Sequence, residues 1–146
     1  MDNLLPPDPR WVQRFENFGR AFVRLRSGIE RLQEDDVEDM LREGLIHRFE
    51  VTWELAWKTL KDYLVFKKVT LEKVTTAEVI RVAFEAKYIQ DGQDWMDALD
   101  ARNKMSHVYS QEAFEQVISD IQNRYFKLFD DLYDMLLGER VKLLDA

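Results

Sequence analysis

The sequence predicts an all-α, up-and-down bundle of three long and two short helices, and three observations carry that prediction. In three segments the apolar residues recur in alternating steps of four and three, which winds one apolar stripe along a helix. No segment shows the period-two alternation of β-branched residues expected of a strand. Glycine (5) and proline (3) are scarce and fall mostly at the expected helix boundaries.

After the extended stretch 4–7, Asp8 is read as an N-cap and Pro9 as a first-turn proline, whose missing N–H would be unpaired there anyway. Trp11, Phe15, Phe18, Phe22, Leu25, Ile29 and Leu32 then form the stripe of a first, core-facing helix of about six turns. At strict core spacing these rings are read as core rather than as a platform for stacked bases. The acidic cluster Glu34, Asp35 and Asp36 breaks the stripe and caps a second helix, in which Ile46, Phe49, Trp53, Ala56, Leu60 and Tyr63 repeat the spacing as far as about Lys67.

Thr75 or Thr76 caps a shorter third helix through Tyr88, with Asp91-Gly92 as its closing turn. A fourth short helix starts at about Gln93. From Ser110 onward Phe114, Ile118, Ile121, Tyr125, Leu128, Leu132 and Met135 mark a long last helix, which Gly138 is well placed to end. The segment after Gly138 is short and partly apolar, suited to docking or to fraying.

A length of 146 residues with 46% hydrophobic content suits one domain spanning 1–146. There is no cysteine, so disulfides and thiolate metal sites are excluded and a reducing, cytoplasmic setting is permitted. The amino terminus lacks a basic stretch followed by an apolar one, and no window approaches the roughly 18 apolar residues of a membrane span. A soluble, cytoplasmic protein with no membrane partner is expected.

The net charge of −7 divides as −1 over residues 1–70 and −6 over residues 71–146. It opposes the broad phosphate attraction behind non-specific nucleic-acid binding, so any RNA contact must rely on a local site, and no DNA partner is expected. Arg10, Arg14, Arg20, Arg24, Arg26 and Arg31 form either a positive stripe or the solvated face of the first helix; the second is the commoner arrangement.

The segment DWMDALDARNKMSHVYS is the one that carries chemistry. On an ideal helix Asn103 and His107 lie one turn apart on the row that continues Met96 and Leu99, while Arg102, Ser106 and Tyr109 occupy an adjacent row. Polar groups gathered so need partners, and they form either a structural hydrogen-bond network, for instance across a dimer, or a ligand site. Spacing alone favours the network; the functional alternative rests on the chemistry available. Arginine balances phosphate charge, histidine titrates near neutral pH, and asparagine orients both.

Cleavage of RNA requires the 2′-hydroxyl to lose a proton as it attacks phosphorus and the leaving 5′-oxygen to gain one. Histidine and arginine can assist both steps without a metal. The set is thin for one active site, and a two-fold homodimer that joined two clusters over one phosphate would double it.

Residues 102–109, RNKMSHVY, resemble the R-x-x-x-x-H-x-Y signature of HEPN proteins paired with minimal nucleotidyltransferases. HRFEVTWELAWKTLKDYL, residues 47–64, resembles the second helix of the nucleotidyltransferase substrate-binding subfamily. With the helix order, the similarity covers roughly Trp11 to Gly138, and two motifs in the correct order are more specific than either alone.

The resemblance implies a helical-bundle homodimer encoded with, and bound by, a small nucleotidyltransferase. Some relatives are metal-independent RNase toxins, in which the motif residues corresponding to Arg102, Asn103 and His107 form the catalytic site at the dimer cleft. The motif tyrosine, here Tyr109, is where the partner attaches AMP and silences the toxin. An attached phosphate would pair with Arg102 while its adenosine filled the cleft. Other relatives are substrate-binding subunits whose groove holds a nucleotide or another small acceptor, and a purely structural dimer adaptor is the third alternative.

On the second helix Phe49, Trp53 and Trp57 are expected in core and dimer packing, whereas Glu50 and Glu54 form a one-turn carboxylate pair. Metal binding is not expected there, because only His47 and the distant His107 are available as histidine ligands and Lys58 and Lys61 lie within reach as salt-bridge partners. Glu50 or Glu54 is instead a candidate to hold Arg102 or His107 in place. No cofactor is expected.

Overall fold

In the computed structural model, residues 8–34, 39–107 and 110–145 are described. The first helix, α1, spans Arg10–Arg31. Pro9, not Asp8, occupies its cap position, with φ −55° and ψ 152° and no side-chain cap. The proline ring fixes φ near the helical value, and the Pro9 carbonyl accepts from Val12 N–H at 3.0 Å. Asp8 lies one residue too early to cap and faces Arg140 at 3.5 Å.

The second helix, α2, spans Asp39–Phe66. Of the residues assigned to cap it, Asp35 and Asp36 lie outside the described residues, and Glu34 ion-pairs with Arg31 instead. Leu45, Phe49, Trp53, Ala56, Leu60 and Tyr63 are fully buried, and Ile46 lies at the core's edge. Lys68 closes α2 in the left-handed region at φ 60°. Val69 N–H then donates to Leu64 O at 2.9 Å and Lys68 N–H to Val65 O at 3.0 Å, the Schellman pattern usually built on glycine.

The third helix, α3, runs Thr76–Glu85, with Thr75 Oγ1 accepting from Glu78 N–H at 3.2 Å as its cap. It stops three residues before Tyr88, and Lys87 (φ 67°) closes it with Tyr88 N–H donating to Ala83 O at 2.9 Å. Asp91-Gly92 is thus not the closing turn. Asp91, at φ 54°, is the residue before the fourth helix, α4, which spans Gly92–Lys104.

A 3₁₀ turn, Met105–His107, follows α4. Ser110 then caps α5 (Gln111–Asp120) by accepting from Ala113 N–H at 3.0 Å. The chain passes without leaving helical geometry through a π turn, Ile121–Tyr125, into α6 (Phe126–Asp145). Gly138 does not end the helix, because the residues beyond it find partners: Leu143 packs against the core, Arg140 pairs with Asp8, and Lys142 pairs with Glu139 at 3.4 Å. These contacts offset the roughly 1 kcal/mol that an internal glycine costs.

The helices share one continuous core. Phe22 of α1 stacks on Phe126 and Tyr133 of α6, each at 5.2 Å between ring centroids. Trp53 of α2 meets Trp95 of α4 at 5.6 Å, and Trp95 meets Phe129 of α6 at 6.1 Å. The aromatic stripe of α1 is therefore core, and the Trp53–Trp95 contact sets α4 against the middle of α2. Among the described residues no helix is long and apolar enough to cross a membrane.

Candidate active site

Two anchors position α4. One is Trp95, buried between Trp53 and Phe129. The other is Arg124 in the π turn, which donates from Nη2 to Asp94 Oδ1 at 2.7 Å and to Asp97 Oδ2 at 2.6 Å. Hydrogen bonds from Gln93 and Arg124 hold the Asp97 carboxyl below its ordinary range. A π turn adds one residue to the helical ring, a distortion that recurs at functional sites, and here it carries the clamp on α4.

The face that α4 turns inward differs from the expected one. Trp95, Ala98 and Met105 are buried, with Arg102 half-buried on the same stripe at steps of three, four and three. Met96 is 38% exposed and Asn103 is exposed. Arg102, rather than Asn103, thus continues the apolar row. The reason is that the aliphatic stem of an arginine packs as a hydrophobe while its head finds a polar neighbour.

That neighbour is the carboxylate pair of α2. Arg102 Nη1 lies 3.5 Å from Glu50 Oε2, and Nη2 lies 4.0 Å from Glu54 Oε1. Glu54 is itself held by Trp57, whose Nε1–H donates to Oε2 at 3.2 Å, and by Lys58 at 3.6 Å. The contacts of Arg102 are ion pairs without hydrogen bonds: among the described residues none of its N–H groups reaches an acceptor in bonding geometry, and Nε is buried without a partner. The guanidinium is held in place by charge with its donors unspent.

The α-helix ends at Lys104, which pairs with Asp100 at 2.9 Å, and the backbone tightens to three residues per turn over Met105–His107. The single α-helical row drawn through Asn103 and His107 is therefore broken between them. Ser106 and His107 are exposed on this turn, just after Arg102. Tyr109 lies outside the described residues.

The structure thus joins Arg102 to Glu50 and Glu54, and leaves Asn103, Ser106 and His107 at the open end of α4. Trp57 and Arg124, the residues that steady this arrangement, were not among the sequence candidates. The indole could have been found from its three-residue spacing to Glu54; Arg124 acts across 27 and 30 residues and leaves no local signal. Among the described residues no group of three or more His, Cys, Asp and Glu side chains is placed to hold a metal ion.

The protein is an α-helical bundle with an inward arginine at the end of its fourth helix, and comparison with known proteins names the family. The sequence profile described as nucleotidyltransferase substrate binding protein like matches residues 13–137. The chain belongs to this family, in keeping with its HEPN motif.

A curated relative from Haemophilus influenzae, named "Probable ribonuclease HepT", is 30% identical over 95 residues, 63% of this chain and 65% of the relative. The match thus spans a little under two thirds of that protein's length. A solved Haemophilus influenzae structure, described as revealing the fold of a substrate binding domain of a nucleotidyltransferase, superposes with a TM-score of 0.74 at 24% identity. The superposition covers 84% of this chain and 98% of that one, and it establishes the fold.

Proposed function

We propose that this chain is the HEPN-type partner of a minimal nucleotidyltransferase and acts in the cytoplasm as a toxin-like, metal-independent RNase. The observation that carries the proposal is the state of Arg102, fixed between Glu50 and Glu54 yet making no hydrogen bond among the described residues. Such a guanidinium is prepared to receive a phosphate, whose oxygens match its planar fork.

In this proposal Arg102 binds the scissile phosphate and stabilises charge on it as the 2′-oxygen attacks. His107 moves the proton, from the 2′-hydroxyl or to the leaving 5′-oxygen, and Asn103 orients the phosphate beside it. Glu50 and Glu54 position Arg102, and Ser106 adds a hydroxyl at the same turn. A homodimer joins two such ends over one substrate. The ribonuclease name of the curated relative supports this reading. AMP attached at Tyr109 by the partner would occupy the phosphate site and silence it.

A second reading, that the chain is a non-catalytic subunit presenting a nucleotide or other acceptor to the transferase, draws on the two carboxylates themselves. They offset part of the charge of Arg102, which would weaken its stabilisation of the charge that develops on a phosphate during cleavage.

Intact mass and host growth test the proposal, each with and without the neighbouring transferase. It predicts growth arrest by the chain alone, relief on co-expression, and a gain of one or more adenylyl units that Tyr109→Phe abolishes. An unmodified, harmless chain that still binds the transferase would favour the second reading.

A further inference from the structure

Away from Arg102, an open groove of about 530 Å³ runs between α1 and α2. Its cationic rim is formed by Arg20 and Arg24 from α1 and Arg48 from α2, with the His47 imidazole beside them. The floor is aliphatic, from Ala21, Val51 and Leu55. We propose that this groove binds the sugar–phosphate backbone of a single RNA strand and leads it toward Arg102, an inference that rests on the RNase reading above.

The pattern of ion pairing supports it. Among the described residues every arginine forms an ion pair except Arg20, Arg24, Arg26 and Arg48, and three of these four line the one groove. Arg26 lies instead over the Phe22 ring. In a chain with 28 acidic and 21 basic side chains, three neighbouring arginines that form no ion pair concentrate positive charge along this groove.

Arg48 is fixed without losing its charge, because Nη1 donates to the neutral backbone carbonyl of Arg24 at 2.8 Å. Gly28 makes room for that reach: a Cβ there would sit 3.3 Å from the same nitrogen and 3.0 Å from Leu45. Thr52, buried below the groove, binds the carbonyls of Ala21 and Arg48 and closes α1 on α2.

The lining also indicates what part of a nucleic acid fits. Apart from the imidazole it holds no ring on which a base would stack, and the Asn17 carbonyl already accepts from Arg20. Guanidinium donors above small aliphatic side chains match phosphates and ribose rather than bases. His47 and Val51 each lie three residues before Glu50 and Glu54, and residues so spaced are neighbours on a helix surface, with about 5–6 Å between Cβ atoms. The groove and the Arg102 cluster therefore adjoin along α2.

The test is fluorescence anisotropy of a labelled 2′-O-methyl oligouridine, which cannot be cleaved, so that binding is read independently of catalysis. Arg20→Ala with Arg24→Ala removes two rim charges from exposed helical positions and keeps the carbonyl that Arg48 needs. We expect at least about a tenfold loss of affinity and a log–log salt slope shallower by about 1.4, as for two lost phosphate contacts on a single strand.

Lys67→Ala with Lys73→Ala removes the same charge outside the groove and should change affinity less than about twofold. Equal losses in both double variants, or none in the first, would overturn the proposal. Uridine triphosphate that competes as well as the strand at equal phosphate would also overturn it, in favour of a free polyphosphate site. A chain that binds the strand through this groove but cuts no RNA would sink the RNase reading and leave the groove standing.

Discussion

Two arginines tie α4 to its neighbours, Arg102 beside two carboxylates of α2 and Arg124 beside two of α4, and the contrast between them locates the candidate chemistry. Arg124 and Arg102 are comparably exposed, at 36% and 32%. Exposure therefore does not separate them; bonding does. Arg124 makes two short, charge-assisted hydrogen bonds to Asp94 and Asp97. Arg102 stands 3.5 and 4.0 Å from Glu50 and Glu54 with its donors unspent. A guanidinium hydrogen-bonded to two carboxylates of a neighbouring helix fastens that helix in place, whereas one held only by charge stays ready to receive an anion.

The largest expected effect comes from removing what positions both. Trp95→Ala empties a fully buried site that touches Trp53 and Phe129, and should cost about 3–5 kcal/mol in urea unfolding. A loss under about 1 kcal/mol would show that Trp95 does not hold α4.

Arg124→Ala should lower stability by about 1 kcal/mol, a figure reduced for solvent screening at a partly exposed pair, while Arg102→Ala should change it by less. The reverse order in paired unfolding curves would undo the distinction between the two.

The smallest effect is a pH dependence. The Asp97 carboxyl is held below its ordinary value of 3.8, first by Gln93 and then by Arg124. A lowered folded-state pKa contributes stability that is complete above the ordinary value and is lost as pH falls through the lowered one. Thermal midpoints of wild type and Asp97→Asn should therefore differ near neutral pH and converge in acid. A constant gap down to the lowest accessible pH would contradict this.

Much of this arrangement was legible in the sequence. The four-and-three stripe of α1 survives because Trp11, Phe15, Phe18, Phe22 and Leu25 have no competing use. Glu50 or Glu54 was expected beside Arg102 or His107, and both carboxylates lie within 4.0 Å of Arg102. Helix ends were read less well. Lys68 and Lys87 adopt left-handed conformations that sequence patterns assign to glycine or asparagine, whereas Gly138, an expected terminator, lies inside α6.

The register of α4 was misread for a related reason. Counting only apolar side chains draws the stripe through Met96 and Leu99, but the long stem of Arg102 places it on the inward row with Trp95 and Ala98. The Arg124 clamp and the α1–α2 groove depend on contacts between distant segments, which no local period reveals.

The most direct test of the central claim is RNA cleavage in the presence of a chelator, comparing wild type with Arg102→Ala and Arg124→Ala after each is shown to be folded. The account predicts that wild type cuts without metal, that Arg102→Ala loses at least about a hundredfold, and that Arg124→Ala, which only positions α4, loses clearly less than Arg102→Ala. Cleavage by Arg102→Ala at the wild-type rate, or none by wild type, would contradict it.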